Sequence, residues 1–507
     1  MITSLLRLSR ANRRSRPSRT RRTKIIISAT TVIGVAALSL AGWNLYRFTH
    51  DYLSTCVNSG PTVVLRAGGE CVGVTNGSYV FDPALGKVEN AIFKEDERVR
   101  GSGRSYETVA FLLPISGTGG VELMSNIEEQ LEGAYTAQYY ANRNNVQGTT
   151  PLIQLLIASS GTQAAEYVTT DTIIENDVAS QHLVAVAGIG VSLDTTVSEV
   201  QALTRHGIPV IGSTITSDAF DNIPGLVRVA PSNAQEVSAA LKFIKPRSRT
   251  AILIQDVNQT DTYDTTLVKE FTADFPDATH RIISKETYDT TNDVNPNGLA
   301  GQEVANRIGQ MISDICVAHP DVVLFAGRGR DLGTLITDLG NRPCTFPVTI
   351  LTGDDTTDMQ ITATVRGALA DDVTLDYAAE ANPDEWNSGS TEVIQQGRQG
   401  FRQFQNAFTS QFPQVSYNDG IAMQCYDAML TSVTVIRLAG INATTNAVVQ
   451  EFNAIRLSRV VLGASGPIML SAIYQGQNAQ GSNPVGKVVP ILRLLPTGTA
   501  QFLKLES

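Results

Sequence analysis

From Val109 onward, short apolar runs alternate with longer amphipathic stretches. Val109–Pro114 is the first run, and glycines follow it in Ser116–Gly120. The next stretch, from Val121 to about Asn142, carries helical periodicity. The same alternation predicts strands at Leu152–Ile157, Leu183–Gly188 and Ile208–Gly212, with helices at Thr162–Ile174 and from Asp194 to about His206 between them. It then restarts: strands at Arg249–Gln255, Arg281–Ser284, Asp321–Ala326 and Pro347–Leu351, and helices at Asp264–Phe275 and Gln302–Val317. Near-continuous apolar strands separated by amphipathic helices imply βαβ units, hence parallel sheets covered on both faces. The prediction is an α/β chain with two doubly wound, Rossmann-like lobes in succession. Long helices follow near 397–412 and 422–438, then strand-like segments at 458–462, 467–473, 488–495 and 500–505.

Upstream the pattern is different. Residues 44–105 read as a linker and a small disulfide-stapled appendage. Within them Asn76-Gly77 sits between apolar runs, a two-residue hairpin signal. A helix-like stretch runs to about Val99, and Gly101-Ser-Gly103 reads as a joint. Residues Ile25–Gly42 carry no charge, over about the length that crosses a bilayer. Residues 1–24 hold eight Arg, one Lys and no acid. This asymmetry predicts an uncleaved single-span anchor at 25–43, a basic cytoplasmic tail and an extracytoplasmic C-terminal body at the cell membrane. A cleaved signal peptide, a lipoprotein signal and a buried core helix compete with it; Cys56 lies too far from the apolar end for a lipoprotein.

Charge and cysteines narrow the partners. Past residue 24 the chain has 30 basic against 49 acidic residues, which does not suit a nucleic acid. The five cysteines predict two disulfides, Cys56–Cys71 and Cys316–Cys344, with Cys425 free, against the alternative of five buried thiols. There is no C-x-x-C, so no zinc or redox site is expected.

One stretch invites a nucleotide reading. Asp321-Val-Val-Leu-Phe-Ala-Gly-Arg-Gly-Arg-Asp-Leu-Gly333 is strand, glycine turn and helix, and Asp354 and Asp355 end the next apolar run. A dinucleotide fingerprint has similar parts. Here, however, the motif lies on the third strand of the second lobe. No H-E-x-x-H or P-loop occurs, and Gly463-Ala-Ser-Gly466 is not a nucleophile elbow. The expectation is a protein that is not an enzyme and needs no cofactor.

Several segments carry a resemblance in their order and spacing. They are Val109-Ala-Phe-Leu-Leu-Pro-Ile-Ser-Gly117, His206-Gly-Ile-Pro-Val-Ile-Gly-Ser-Thr-Ile-Thr216, Val227-Arg-Val-Ala-Pro-Ser-Asn-Ala-Gln235, Tyr426-Asp-Ala428 and Gly466-Pro467. With them the chain resembles, over about 106–507, the type I periplasmic-binding-protein family, in particular the branched-chain amino-acid (Leu/Ile/Val) substrate-binding subunits of ABC importers. The resemblance implies two lobes joined by three hinge crossings. Lobe one would be 106–230 plus 375–484, and lobe two 231–374 plus 485–507. A ligand would lie between them, at the carboxyl ends of the strands, and the lobes would close on it. The implied function is capture of a small polar, amino-acid-like ligand for an ABC permease. A ligand-sensing or protein-interaction module on the same fold is the alternative.

Candidate ligand residues follow. Ser192 opens a helix whose N–H groups favour an anion, and Thr214 and Thr216 fall at the next strand end. The resemblance makes these turns the seat of a ligand carboxylate, although Leu193, not Ser192, holds the aligned position. Capping and turn roles remain open for all three. Asp354 falls where amino-acid binders carry an acid for the ammonium, a strong charge-assisted pair; a solvated turn Asp is the alternative, and Asp355 reads as a turn or cap. Arg328 replaces a frequent aromatic. It is expected to neutralise Asp354 or to meet an anionic group on the ligand, unless it points to solvent. Ser116 would line the rim, and Tyr263 could stack on the ligand.

Overall fold

In the computed structural model the described residues are 55–115, 122–293, 300–387, 389–456, 459–470 and 481–506. The expected rim residue Ser116 lies outside them. Against the expected single-pass placement, no helix among the described residues is long and apolar enough to cross a membrane. Residues 1–24 and 25–43, on which that placement rests, lie outside the described residues.

The first sheet is built from β1 (Thr55–Ser59), β2 (Thr62–Ala67), β3 (Glu70–Thr75), β4 (Tyr106–Leu113), β5 (Leu152–Ser159), β6 (Leu183–Gly188), β7 (Val210–Gly212) and β8 (Leu226–Arg228). Their order is β1-β2-β3-β5-β4-β6-β7-β8. The strands from β5 to β8 in that order run parallel. Both faces are buried. Along β4, Val109, Phe111 and Leu113 enter one apolar core while Ala110 and Leu112 enter the other. Each buried large side chain contributes roughly 1.5–3 kcal/mol, which is why the sequence shows runs here and not alternation.

Residues 55–101 are not a separate appendage. β3 pairs antiparallel with β5, Gly73 opposite Ser159 and Thr75 opposite Ile157, and Leu85, Val88 and Ile92 join the core of the first lobe. The hairpin also differs from expectation. It is β2–β3, turned by Gly68-Gly69, whose φ angles are 55° and 91°. Two residues at positive φ match the twist of the flanking strands. Asn76-Gly77 instead closes against the helix Gly86–Gly101, where a Cβ on Gly77 would lie 2.2 Å from the Glu89 carbonyl oxygen.

The second sheet contains β9 (Thr250–Asp256), β10 (Arg281–Tyr288), β11 (Val322–Ala326), β12 (Val348–Thr352) and β13 (Val373–Ala378). A small ribbon, β14 (Val461–Gly463) with β15 (Gly466–Ile468), precedes its last two strands, β16 (Val489–Leu494) and β17 (Ala500–Glu506). The order is β10-β9-β11-β12-β13-β16-β17, parallel through β13 and antiparallel beyond. Here too alternate residues part: Ala251 and Leu253 on one face, Ile252 and Ile254 on the other. The boundary expected at 374/375 falls inside β13, whose pairing with β12 keeps it in the second sheet.

The chain passes between the sheets three times: after β8, after β13 and before β16. Helices Glu392–Gln411 and Ile421–Ala439 return to the first lobe and pack in its core beside Met124–Ala141. Cys56–Cys71 staples the N-terminal strands and Cys316–Cys344 the second lobe, leaving Cys425 free and buried.

Candidate functional site

Six of the residues singled out from sequence line one cavity of about 40 Å³ between the lobes: Ser192, Thr214, Thr216, Tyr263, Arg328 and Asp354. They come from strand ends far apart in the chain. Ser192 precedes the helix Asp194–Arg205, and Thr214 and Thr216 follow β7. Arg328 follows β11, and Asp354 follows β12.

On the first-lobe wall the hydroxyls of Ser192 and Thr214 are committed to the protein's own backbone. Ser192 Oγ accepts from the Thr216 and Ser217 N–H groups at 3.2 and 3.3 Å. Thr214 Oγ1 donates to the Gly190 carbonyl at 2.6 Å. Thr216 Oγ1 donates across the cleft to Asp354 Oδ1 at 3.4 Å. The turn is held from behind by Arg228, fully buried, which donates to the Ile215 and Ser217 carbonyls and to Asn483 Oδ1 at 3.1, 2.7 and 2.7 Å. An anion arriving at Ser192 would have to compete with these bonds for the Thr216 and Ser217 N–H groups.

The second-lobe wall is charged. Arg328 does not neutralise Asp354 and does not point to solvent. Its Nε and Nη2 grip Asp261 at 2.8 and 2.9 Å, and its Nη1 donates to Asp355 at 2.7 Å. Its Nη2 also reaches the Ser192 carbonyl at 2.9 Å, in the other lobe. The guanidinium carbon lies 4.7 Å from the centre of the Tyr263 ring, within cation–π range. Arg328 therefore ties two acids of its own lobe to the facing one. Asp355 does more than cap a turn: it takes Arg328 on one oxygen and the Gly329 N–H on the other, at 2.6 Å.

This explains the glycines of the 321–333 stretch without a phosphate. A Cβ on Gly329 would sit 2.3 Å from the Asp355 carbonyl oxygen, and one on Gly327 would sit 1.9 Å from Tyr288 Oη. Close approach of the turns after β11 and β12 demands glycine at 329, and the buried Tyr288 side chain of β10 leaves no room for a Cβ at 327. Tyr263 is 1% exposed; it receives the Asp355 N–H on its hydroxyl at 3.2 Å and supports Arg328.

The cavity contains residues the sequence reading missed. Glu122, just before the helix Met124–Ala141, and Asn126 and Gln130, within it, line the cavity, and Asp358, Glu380 and Asp419 add carboxyls. Asn126 and Gln130, four apart, share one face of that helix, a spacing visible in the sequence. Asn126 Nδ2 bridges the lobes, donating to Asp358 Oδ1 at 2.6 Å and the Thr357 carbonyl at 3.3 Å. Burial pushes the Asp354 carboxyl up to about 6, with Asp355 adding to it and Glu236 and Arg328 opposing. Burial likewise pushes Glu122 up to about 7, against a hydrogen bond from Gln130. Glu380 rises by burial and then by the charge of Asp354.

Two buried, twisted sheets with a cleft at their strand ends match a known pattern. A family model described as periplasmic binding protein matches residues 108–482. The chain belongs to that family. Its fold is the α/β type I periplasmic-binding-protein fold with two sheets. Solved structures agree on the fold. A leucine-binding protein from Thermotoga maritima is 15% identical with a TM-score of 0.56, over 79% of this chain and 99% of the other. An ABC transporter substrate-binding protein from Desulfitobacterium hafniense, in complex with leucine, is 14% identical with a TM-score of 0.58, over 78% and 100%. A solute-binding protein of an ABC transporter from Rhodopseudomonas palustris, in complex with 3,4-dihydroxybenzoic acid, is 13% identical with a TM-score of 0.55, over 79% and 97%. A comparison with curated protein sequences finds no match.

Proposed function

We propose that this family member captures a small polar, amino-acid-like ligand in the cleft between its lobes and delivers it to an ABC importer. The observation that carries the reading is the convergence of Ser192, Thr214, Thr216, Tyr263, Arg328 and Asp354 on one cavity. Asp354 is the group for the ligand ammonium. A carboxylate facing a protonated amine in a site that excludes water forms a strong charge-assisted hydrogen bond. Ser192, Thr214 and Thr216 set the opposite wall, and Tyr263 and Arg328 hold that wall and Asp355 in register. Leucine in one structural relative and an aromatic acid in another support a small organic ligand here.

Closure follows from contacts that only the approached lobes make. Asn126 to Asp358, Arg328 to Ser192 and Thr216 to Asp354 all cross the cleft. A ligand touching both walls adds to them and shifts the population towards the closed form. The three chain passages between the sheets are the hinge. The two disulfides support work in an oxidising compartment. The reading assigns binding and no chemical step.

A thermal-shift screen of the full chain against amino acids, amines, small acids and amides tests it. At least one class should raise the melting temperature in proportion to its concentration. No shift with any class removes the capture role.

A further inference from the structure

The proposed cleft has far more acceptors than donors, and that imbalance narrows its ligand. Resting on the capture reading above, we infer that the cleft selects a ligand bearing at least two protonated nitrogen groups: a small diamine or a basic amino acid.

Among the described residues the cavity wall has one cation, Arg328, against carboxyls from Glu122, Asp354, Asp355, Asp358, Glu380 and Asp419. Arg328 is already spent on Asp261, Asp355 and the Ser192 carbonyl. Asp358 receives Asn126 and the Leu123 N–H, and Asp419 receives the Ile421 N–H. Among the described residues Glu122, Asp354 and Glu380 form no ion pair; Lys487 acts on Glu380 through its charge alone and donates its hydrogen bond to Ser465 Oγ.

A second observation does not depend on charge. Gln130, 1% exposed, donates its amide nitrogen to Glu122 at 3.2 Å. This fixes the amide so that its oxygen is the free end, because a flipped amide would set oxygen against a carboxylate. That oxygen is buried with no hydrogen-bond donor among the described residues. The same holds for Oε1 of Glu380, 8% exposed, and Oε2 of Glu122. Buried polar atoms in native proteins are paired in the great majority. Three acceptors on one cavity, from the first lobe and the crossing after β13, ask for N–H donors, while Asp354 asks for one from the second lobe.

A single ammonium can neutralise one of these acids. A second protonated nitrogen can meet another and donate to Gln130. A bare divalent metal ion is the other cationic solution, but no group of three His, Cys, Asp or Glu side chains among the described residues converges closely enough to hold one. The spread of acceptors over both walls fits an extended organic cation.

Where the free carboxyls hold protons, such a ligand displaces them, so binding releases protons to the solvent. Burial and mutual charge already make Glu122, Asp354 and Glu380 reluctant to ionise alone.

Isothermal titration calorimetry of the full chain at pH 7.5, a chosen value near Glu122's shifted range, tests this with 1,4-diaminobutane, lysine, arginine, leucine and succinate. The expected result is at least about tenfold tighter binding of one of the three probes with two protonated nitrogen groups than of leucine, with no binding of succinate. Repeating the titration in two buffers of different ionisation heat should show net proton release. Glu380→Gln and Glu122→Gln should each cut the affinity for the probes with two protonated nitrogens at least about fivefold, and cut leucine affinity by less. Melting curves of both variants identify any that fail to fold, and the other then decides. Leucine or succinate binding as tightly as every one of those three probes overturns the inference and leaves the capture reading intact. No binding by any probe overturns both.

Discussion

The two walls of the cleft use polar residues in opposite ways. The first-lobe wall is built of hydroxyls on turns, and its Ser192 and Thr214 bond inward to backbone a few ångströms away. The second-lobe wall is built of charges, and its Arg328 joins Asp261, Asp355 and Ser192 into one buried network. Hydroxyls can satisfy a turn at little desolvation cost, so that wall is preformed. Buried charges are tolerated only when fully paired, so the other wall depends on every partner staying in place. Polar residues at matching strand ends thus do unlike jobs, one setting shape and the other setting charge.

The largest way to break the comparison is Arg328→Met. It leaves Asp261 and Asp355 buried without their cation and should cost about 3–5 kcal/mol of stability, read by denaturant unfolding. A loss below about 1 kcal/mol would mean the network is not the frame of that wall. Next comes Asp354→Ala, which should weaken an amine ligand by roughly ten- to a hundredfold, or about 1.5–3 kcal/mol. Unchanged affinity by calorimetry removes Asp354 from the site.

On the hydroxyl wall, Ser192→Ala strips the acceptor from two buried N–H groups and should cost about 1–3 kcal/mol of stability. Its effect on ligand affinity should be smaller than that of Asp354→Ala; the reverse order would make Ser192 a direct ligand group. The charged wall also has a pH signature. The folded-state values of Glu122 and Asp354, about 7 and about 6, lie above their ordinary 4.5 and 3.8. Asp355 adds to both rises by its charge, Arg328 opposes both, and a Glu236 hydrogen bond opposes that of Asp354; the facing Asp358, Glu236 and Glu380 are themselves pushed up by burial. The contribution of Glu122 and Asp354 is full below about pH 4 and is lost as pH rises through 6 to 7. The melting temperature of the free chain should therefore fall between pH 5 and 8, while affinity for the probes with two protonated nitrogens rises. A melting temperature that climbs over that range would contradict the sign. The smallest effect belongs to Thr214→Val, about 1 kcal/mol of stability for one hydrogen bond to Gly190, and less than about threefold in affinity.

Much of the fold was legible because period and burial agree. Val109–Pro114 and Asp321–Ala326 read as strands buried on both faces, and β4 and β11 are such strands. The pairing of the four cysteines also followed from their positions. The hairpin was misplaced because Asn76-Gly77 and Gly68-Gly69 carry similar turn chemistry, and only packing against Glu89 separates them. The joining of residues 55–101 to the first sheet was hidden because an antiparallel strand such as β3, which pairs with β2 on one side and β5 on the other, carries no local marker for its distant partner.

The sequence by itself determined which residue types stand at the strand ends, since local pattern and turn chemistry place Ser192, Thr214, Thr216, Arg328 and Asp354 there. Tertiary structure alone decided what those residues face. Arg328 could have met solvent, Asp354 or a ligand; it meets Asp261 and Asp355, which lie 67 and 27 residues away in sequence. A charge takes its partner from whatever the fold brings within about 3 Å, and that neighbour is set by the crossing of two lobes, not by spacing along a chain.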